Sequence, residues 1–299
     1  MKVLLTGITG TIGGSILRAL APTGYEIICP VRSRAKAQPI VERVGGNVTL
    51  VDLDQSLDFQ TQFYNAAKSI PNIIHSGFLM SHQDVEMETQ VITGLINAAK
   101  ETSQTVEAAL IVTTGALCVG QNLELSGEDQ ISTDNCLEFV KCRVAHEQLV
   151  LASNSATLKA SITRPVCIYG GSFVDQYYKV CKQNGKIIVP HGNGSVSYIH
   201  TSDLGRYYKL LLEHKGSGCF TISEGLGPNL DEVIEIAKKV TGVQEVVRID
   251  NPWEYMATHG FYLFELALTS KLDPKRGREL FGFVPECNFA RDAERLLVL

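Results

Sequence analysis

The chain has 299 residues, of which 44% are hydrophobic and 20% charged, and its formal net charge is −5. This composition can form a hydrophobic core and excludes an intrinsically disordered chain. Because the net charge is negative and the basic residues are mostly scattered, neither nucleic acid nor an anionic membrane surface is expected as a partner.

Neither a leader segment nor a membrane anchor is expected from the sequence. The apolar run after Met1 is much shorter than a signal peptide, and no stretch approaches the roughly 20 apolar residues of a membrane span. The 8 cysteines form no CxxC pair and no zinc-ligand spacing, so we expect reduced, mostly buried thiols and no metal site. Together these features predict a cytoplasmic protein.

Short apolar runs alternate with longer helical patterns through the first half of the chain. Nearly continuous apolar strands that alternate with helices predict a parallel sheet covered on both faces, which is an α/β fold. In chain order the predicted elements are strand 2–6, helix 13–22, strand 26–31, helix 35–44, strand 48–52, helix 58–69, strand 72–76, helix 85–101, strand 109–114, helix 134–153 and strand 160–164.

A glycine-rich turn with the sequence TGITGTIG joins the first strand to the first helix. Glycine permits a positive φ and a close approach of the backbone to a diphosphate, and the helix N-terminus offers N–H groups to it. The strand–turn–helix context makes this motif a signal for a dinucleotide and for a Rossmann doubly wound sheet. The residues expected to contact the cofactor here are Gly7, Thr9, Gly10, Thr11, Ile12 and Gly13.

The loop after the second strand indicates which dinucleotide is bound. A site selective for NAD normally carries an acidic residue here, which binds the adenosine ribose. The segment instead reads PVRSRAK, in which Arg32, with Arg34 or Lys36, is suited to charge-assisted bonds to a 2′-phosphate. A solvated basic loop is the alternative. We therefore expect NADP(H) as the preferred cofactor and NAD(H) as the alternative.

With these residues in place, the chain resembles the extended short-chain dehydrogenase/reductase superfamily, in its NAD-dependent epimerase/dehydratase branch. The resemblance implies that Asp52 and Leu53 contact the adenine, and that Ser76, Gly77, Arg143 and Pro165 also lie around the cofactor. His75 is expected to be a structural, hydrogen-bonded histidine beneath it. The motifs that carry the resemblance are TGxxGxxG at 6–13, the Asp-Leu pair at 52–53, and the segments 75–78, 111–120, 164–170, 198–204 and 270–285.

The chemistry of this superfamily depends on Ser, Tyr and Lys, and the resemblance implies that all of them are replaced here. The YxxxKxxxE frame, anchored on Glu147, places Phe139 at the tyrosine and Arg143 at the lysine position. Phenylalanine has no proton to transfer. Arginine stays charged, so it can hold a ribose or stabilise an anion but cannot act as a base. The serine position falls on Gly115, next to Thr114.

Several side chains are candidates to replace this triad. His82 follows the fourth strand and is suited to general acid–base catalysis, with a surface-loop histidine as the alternative. Thr114 is either a substrate contact or a buried strand residue. His146 lies three residues after Arg143, so both could face one cleft, and a solvent-facing histidine is the alternative. Tyr169 ends the sixth strand, where relatives bind the nicotinamide, and a structural role is its alternative.

The pattern changes after residue 165, where glycine-rich turns, short strands and a helix over 229–241 follow. We expect residues 1–165, with about 195–223, to form the dinucleotide-binding Rossmann domain, and 166–194 with 224–299 to form a smaller C-terminal substrate-binding region. Aromatic residues suggest a pocket less polar than one for a nucleotide sugar, and core packing is the alternative. They are Phe173, Tyr177, Tyr178, Trp253, Tyr255, Phe261 and Tyr262.

Three functions remain open at this point, because a shared fold does not choose among them. The first is a reductase, dehydrogenase or epimerase that transfers hydride to or from a small carbonyl or hydroxyl compound, such as a specialised metabolite. The second is a non-redox isomerase, cyclase or lyase in which the cofactor is structural or electrostatic. The third is a non-catalytic dinucleotide sensor. The expected partner is a small-molecule substrate, and a homodimer is a further expectation.

Overall fold

The computed structural model describes residues 1–54, 56–77, 84–120, 122–126, 128–129, 136, 138–260 and 262–299. The chain divides into two compact units, each made of separate stretches of sequence. Unit 1 comprises Met1–Thr114, Glu138–Arg164 and Leu204–Phe220, and unit 2 comprises Gly115–Leu137, Pro165–Asp203 and Thr221–Leu299.

Strands and helices alternate along most of the described chain. In chain order they are β1 (Lys2–Leu5), α1 (Thr11–Leu20), β2 (Glu26–Val31), α2 (Arg34–Val44), β3 (Asn47–Asp52), α3 (Phe59–Ala67), β4 (Asn72–His75), α4 (Asp84–Thr102), β5 (Ala108–Thr113), β6 (Asn122–Ser126), α5 (Lys141–Leu151), β7 (Leu158–Pro165), β8 (Cys167–Tyr169), α6 (Phe173–Asn184), β9 (Ile187–Pro190), β10 (Ser195–Val196), β11 (Tyr198–His200), α7 (Thr201–His214), β12 (Gly218–Ile222), α8 (Leu230–Thr241), β13 (Val246–Ile249), α9 (Pro252–His259), α10 (Tyr262–Glu265), β14 (Thr269–Leu272), α11 (Lys275–Phe281) and α12 (Phe289–Leu296).

The large sheet has seven strands in the order β12-β7-β5-β4-β1-β2-β3. Neighbouring strands from β7 to β3 are parallel, and Leu4 of β1 is in register with Ile28 of β2 and Ile73 of β4. The chain therefore runs outward in one direction through β2 and β3 and returns to the other side of β1 at β4. This reversal leaves a crevice at the carboxyl ends of β1 and β4, which is where doubly wound sheets bind ligands.

The central strands are buried on both faces, as their sequences predict. Val3, Leu4 and Leu5 of β1 are wholly buried, and Ile73 and Ile74 of β4 are equally inaccessible. Residues of a strand point alternately to opposite faces, so burial of successive residues requires a layer of helices on each side. The predicted α/β class, with a doubly wound parallel sheet, is therefore confirmed.

Unit 2 has its own core, which is rich in tyrosine. The ring of Tyr198 stacks on that of Phe289 with centroids 3.9 Å apart, and further aromatic rings pack around this pair. Tyr177, Tyr178 and Tyr262, which the sequence suggested as pocket residues, are fully buried in this core. The small sheets beside it pair their strands in parallel, in the orders β10-β14-β6, β11-β8 and β13-β9.

Several predicted helix boundaries differ from the structure by a few residues, and the differences at two helices lie near the expected site. In the helix expected over 134–153, the described residues form a 3-10 turn at Glu138–Val140 and an α-helix at Lys141–Leu151. The first helix begins at Thr11, two residues earlier than expected, directly inside the glycine-rich turn. In the part of the chain that the structure describes, none of the helices combines the length and apolarity needed to cross a bilayer.

Candidate dinucleotide site

The glycine-rich turn after β1 is held in shape by two of its glycines. Gly7 has a φ of +73°, and a Cβ atom there would lie 2.7 Å from the backbone nitrogen of Gly77. A Cβ on Gly13 would lie 2.2 Å from the carbonyl oxygen of Gly7. Both distances are too short for any side chain, so the close packing of the turn, β4 and α1 itself requires these glycines.

Gly10 differs, because the packing of the protein does not require glycine there. Its φ is −93°, and a Cβ would meet only the carbonyl oxygen of Gly7, at 3.4 Å, an ordinary contact. Gly10 is also the N-cap residue of α1, and no side chain accepts a hydrogen bond from the N–H groups of this helix at that position. An exposed glycine at an uncapped helix N-terminus fits the close approach of a diphosphate.

A chain of hydrogen bonds fastens the end of β4 beneath this turn. The Thr6 hydroxyl accepts the N–H groups of Ser76 (3.1 Å) and Gly77 (3.2 Å) and contacts His75 Nδ1 at 2.8 Å. His75 Nε2 in turn lies 2.9 Å from Glu88 Oε1 on α4, and both side chains are buried. These bonds support the structural role expected for His75. The hydroxyl of Ser76 also turns inward and donates to the Thr6 carbonyl.

The basic loop after β2 contains an ion pair that the sequence analysis did not anticipate. Arg34 donates from Nε to Asp52 at 2.9 Å and from NH2 to the Leu50 carbonyl at 2.9 Å. Val31 and Asp52 are register neighbours in the parallel pair β2–β3, which brings the residues after one strand to the end of the other. This register is the signal that could have found the pair.

Arg32 in the loop and Lys36 in the first turn of α2 are exposed, and so is Arg34, which is engaged by Asp52. The Arg34–Asp52 pair is about half exposed, at 49% and 59% of the two side chains, so it contributes little to stability. Leu53 is half-buried and extends β3 by donating its N–H to Val31 at 2.9 Å.

Helix α5 is held against the sheet by a wholly buried ion pair. Glu147 accepts from Arg164 Nε at 2.9 Å and from Arg164 NH2 at 2.5 Å, and the two side chains are 0% and 1% exposed. The Thr114 hydroxyl donates to the same carboxylate at 2.6 Å. One turn before Glu147, Arg143 donates from NH1 to the carbonyl oxygen of Thr114 at 2.5 Å.

These contacts limit what Thr114 and Arg143 can do. The hydrogen of the Thr114 hydroxyl is directed into the buried carboxylate of Glu147, so this group could meet a substrate only as an acceptor. Arg143 is half-buried at the end of β5 and offers a fixed positive charge there. The structure thus brings Thr114 and Arg143 together.

His146 faces α4 and not solvent, which corrects the alternative reading of this residue. It is 6% exposed, and its Nε2 lies 2.8 Å from the Thr89 hydroxyl, whose own hydrogen goes to the Val85 carbonyl. Nε2 is therefore the donor. Burial lowers the pKa of His146 below its ordinary value, the nearby Glu88 raises it, and His75 and Arg143 lower it. A neutral His146 that joins α5 to α4 follows from these contacts.

The remaining predicted site residues lie in unit 2 or outside the described part of the chain. Tyr169 is fully buried, its phenol donates to Glu224 at 3.2 Å, and burial raises its pKa well above the ordinary value. Such a phenol is a poor proton carrier at neutral pH. Pro165 is the buried last residue of β7. His82, Phe261 and the side chain of Phe139 lie outside the described residues.

Glu88 is the residue that sequence reasoning missed. It shares the buried face of α4 with Ile92, Leu95 and Ala99, at helical spacing. A carboxylate on an apolar face is rarely left buried without a partner. The position of Glu88 on an apolar helix face was therefore the sequence signal for a buried, paired carboxylate. Its partner, His75, lies on another element, and periodicity does not identify partners on other elements.

Comparisons with known proteins agree with this geometry. The model of the NAD dependent epimerase/dehydratase family matches residues 3–222. Uncharacterized protein YLL056C of Saccharomyces cerevisiae is 25% identical over 223 residues, which are 73% of this chain and 72% of that protein. Uncharacterized protein C2A9.02 of Schizosaccharomyces pombe is 25% identical over 224 residues, with the same two coverages.

Solved structures with the same fold are similar over almost the whole chain. The structure of MoeE5 in complex with UDP-glucose and NAD has a TM-score of 0.73 and 17% identity, and the match covers 99% of this chain and 97% of that one. At identities this low the likeness shows the fold alone, whereas the family match spans most of the chain. The chain belongs to the NAD-dependent epimerase/dehydratase family.

Proposed function

We propose that this protein is a nicotinamide-dependent enzyme that transfers hydride between NADP(H) and a small carbonyl or hydroxyl compound, with NAD(H) as the weaker cofactor. The observation that carries the proposal is Gly10, which is glycine for no reason internal to the fold and lies at the uncapped start of α1. Membership of the family and the NAD named for the related structure support a dinucleotide in this turn.

The cofactor would be held by residues of unit 1. The N–H groups at the start of α1 would receive the diphosphate, Leu53 would lie beside the adenine, and Arg32 with Lys36 would receive the 2′-phosphate. The N–H groups of Ser76 and Gly77 are bound to Thr6, so these two residues would shape the site and not donate to the ligand. When bound, the nicotinamide supplies or accepts the hydride.

Arg143 is well placed to stabilise negative charge on the cofactor or the substrate. Its guanidinium is held at the carbonyl of Thr114, directly after β5. A fixed cation there would hold the nicotinamide ribose or stabilise an oxyanion that develops on the substrate. Because a guanidinium does not release its proton at neutral pH, the proton would come from water or from another side chain, for which His82 stays a prediction.

A non-redox isomerase or lyase is the second candidate, and one observation favours it. Arg143 occupies the position that the resemblance gives to lysine, and it cannot take part in proton transfer. An enzyme that uses the same scaffold without any hydride transfer does not need a lysine–tyrosine pair at that place.

A turnover experiment separates the two candidates. Purified protein is mixed with NADPH or NADH and a panel of small aldehydes and ketones, and loss of the reduced nicotinamide absorbance is followed. Oxidation of NADPH that depends on both protein and substrate supports hydride transfer. Conversion of a substrate detected by mass spectrometry, with the nicotinamide absorbance unchanged throughout a single turnover at stoichiometric enzyme, would establish the second candidate instead.

The preference for NADP(H) is tested by replacing Arg32 with alanine. Loss of one charge-assisted contact to a phosphate should weaken NADPH binding by about tenfold or more, while NADH, which lacks this phosphate, should bind nearly as before. Titration calorimetry measures both affinities. Arg43→Ala, at the exposed far end of α2, is the matched control and should change neither. An equal loss for both cofactors in Arg32→Ala would remove the assignment of the 2′-phosphate.

A further inference from the structure

Glu88 lies on α4 and acts on the glycine-rich turn only through other residues. It contacts His75 at 2.9 Å, His75 contacts Thr6 at 2.8 Å, and Thr6 receives the N–H groups of Ser76 and Gly77. The residues in this series of hydrogen bonds come from α4, from the end of β4 and from the end of β1. All of these residues belong to unit 1. Thr6, His75 and Glu88 are buried, and Ser76 and Gly77 are half-buried.

The hydrogen bonds determine which atom donates at each link. A threonine hydroxyl has two lone pairs and one hydrogen, and at Thr6 the N–H groups of Ser76 and Gly77 occupy both lone pairs. The Thr6 hydrogen must then point to His75 Nδ1, which carries no proton. His75 therefore holds its proton on Nε2 and donates it to Glu88.

This series of hydrogen bonds ends at Ser76 and Gly77, which pack directly against the glycine-rich turn. The backbone of Gly77 packs so closely on Gly7 that a Cβ atom on Gly7 would approach its nitrogen to 2.7 Å. A shift of Ser76 and Gly77 would therefore displace the backbone that supports the glycine-rich turn. The Thr6 hydroxyl stops such a shift only while its hydrogen is directed away from these two N–H groups.

We propose that Glu88 is a positioning residue for the cofactor. It selects the His75 tautomer that orients the Thr6 hydroxyl, and the hydroxyl holds Ser76 and Gly77 against the glycine-rich turn. This inference rests on the proposed binding of a nicotinamide dinucleotide in that turn. Glu88 does not touch the cofactor.

Three substitutions at this position test the inference. Glu88→Gln keeps an oxygen that accepts from His75 Nε2 and should retain the affinity for NADPH within about twofold. Glu88→Leu removes the acceptor, leaves a buried donor unpaired and frees the other tautomer, so NADPH binding should weaken by about tenfold. Glu88→Asp, which keeps the charge but shortens the side chain, should fall between them and serves if the leucine variant does not fold.

Asn72→Ala is the matched control for general loss of stability. Asn72 is also a buried polar residue of β4 and also bonds to β1, donating to the Lys2 carbonyl at 3.0 Å, but at the opposite, amino-terminal end of the strands. This variant should melt at a lower temperature and bind NADPH as the wild type does. Affinities are measured by calorimetry, well below the melting temperature of each variant.

The readout specific to positioning is the nuclear magnetic resonance spectrum of the protein without nucleotide. The imidazole nitrogen shifts should show His75 protonated on Nε2 in the wild type and in Glu88→Gln. In Glu88→Leu, this pattern should change together with the amide signals of Ser76 and Gly77. Rescue by glutamine, in both affinity and spectrum, would support the proposal.

Two results would overturn the inference. One is an unchanged NADPH affinity in a folded Glu88→Leu or Glu88→Asp variant, and the other is an equal loss in Asn72→Ala. In either case wild-type binding would leave the proposed function intact. A wild-type protein that binds neither NADPH nor NADH would instead refute the proposed function itself, and with it any positioning of the cofactor.

Discussion

Single residues of the glycine-rich turn have separable roles. Gly7 and Gly13 are glycines because backbone atoms lie within 3 Å of where a Cβ would be, whereas a Cβ on Gly10 would meet nothing closer than 3.4 Å. Packing requires glycine at Gly7 and Gly13 whether or not a ligand is bound. At Gly10 a side chain would interfere only with a bound ligand. Alanine should therefore reduce stability at Gly7 or Gly13 but reduce ligand affinity at Gly10.

Gly10→Ala should weaken NADPH binding and leave stability almost unchanged. The added methyl group points to the exposed side of the turn, where it would meet the diphosphate, and we expect about a tenfold loss of affinity. The cost to folding should be about 1 kcal/mol or less, because alanine is a poorer N-cap than glycine. Calorimetry gives the affinity and urea denaturation the free energy of unfolding.

Gly14→Ala is the matched control for this substitution, since a Cβ there also meets its nearest atom at 3.4 Å. It lies inside α1, where alanine is favoured over glycine by about 1 kcal/mol, and it should bind NADPH normally. Full affinity in Gly10→Ala would mean that no ligand approaches the turn at this point.

At the scale of an element, a buried ion pair binds α5 to the sheet. The Glu147–Arg164 pair is wholly buried and bidentate, and it lies one turn after Arg143. The pair therefore restricts the rotation of α5, and Arg143, one turn earlier, is held by its own hydrogen bond to the Thr114 carbonyl. The apolar contacts of α5 alone would tolerate a small rotation, because they are not directional.

Arg164→Met should destabilise the protein by about 3–5 kcal/mol, because it leaves the Glu147 carboxylate buried without its main partner. The double variant with Glu147→Met as well should be more stable than the sum of the single changes predicts, since neither charge then remains. Urea denaturation of the four proteins in this cycle measures the coupling. Additive losses would show that the pair contributes no specific interaction.

At the scale of the whole molecule, partly buried acids link its stability to pH. Glu265 of α10 is half-buried in unit 2, where desolvation raises its pKa to about 7, and the thiol of Cys167 donates to it. In the unfolded chain the same group titrates near 4.5. The folded state thus binds the proton more tightly, so this contribution to stability is complete below the unfolded pKa and is lost as pH rises through the folded pKa.

Glu265→Gln should remove that part of the pH dependence, because glutamine resembles the protonated acid and does not ionise. Relative to the wild type, the variant should gain stability between about pH 5 and about pH 8. Urea denaturation at several pH values gives the difference. Glu254→Gln, on the exposed surface of α9, should show a constant difference from the wild type. The same flat result for Glu265→Gln would contradict a raised pKa at Glu265.

The sequence by itself determined the parallel sheet, the glycine-rich turn and the family. Strand and helix patterns are local, with periods of about two and about 3.6 residues, and a turn that must approach a ligand leaves glycines at regular spacing. The basic loop after β2 was likewise readable, since its composition needs no partner to be interpreted. These features depend on residues that are close together in the chain.

Only the tertiary structure decided which side chains meet across elements. Arg34 pairs with Asp52, His146 turns to Thr89, and the Thr114 hydroxyl is used by Glu147, although each had been open to another role. Periodicity predicts the face on which a side chain lies but not the group that lies opposite. That group is determined by strand order and by the packing of helices on the sheet, and buried polar groups are bound by whatever partner this packing brings to them.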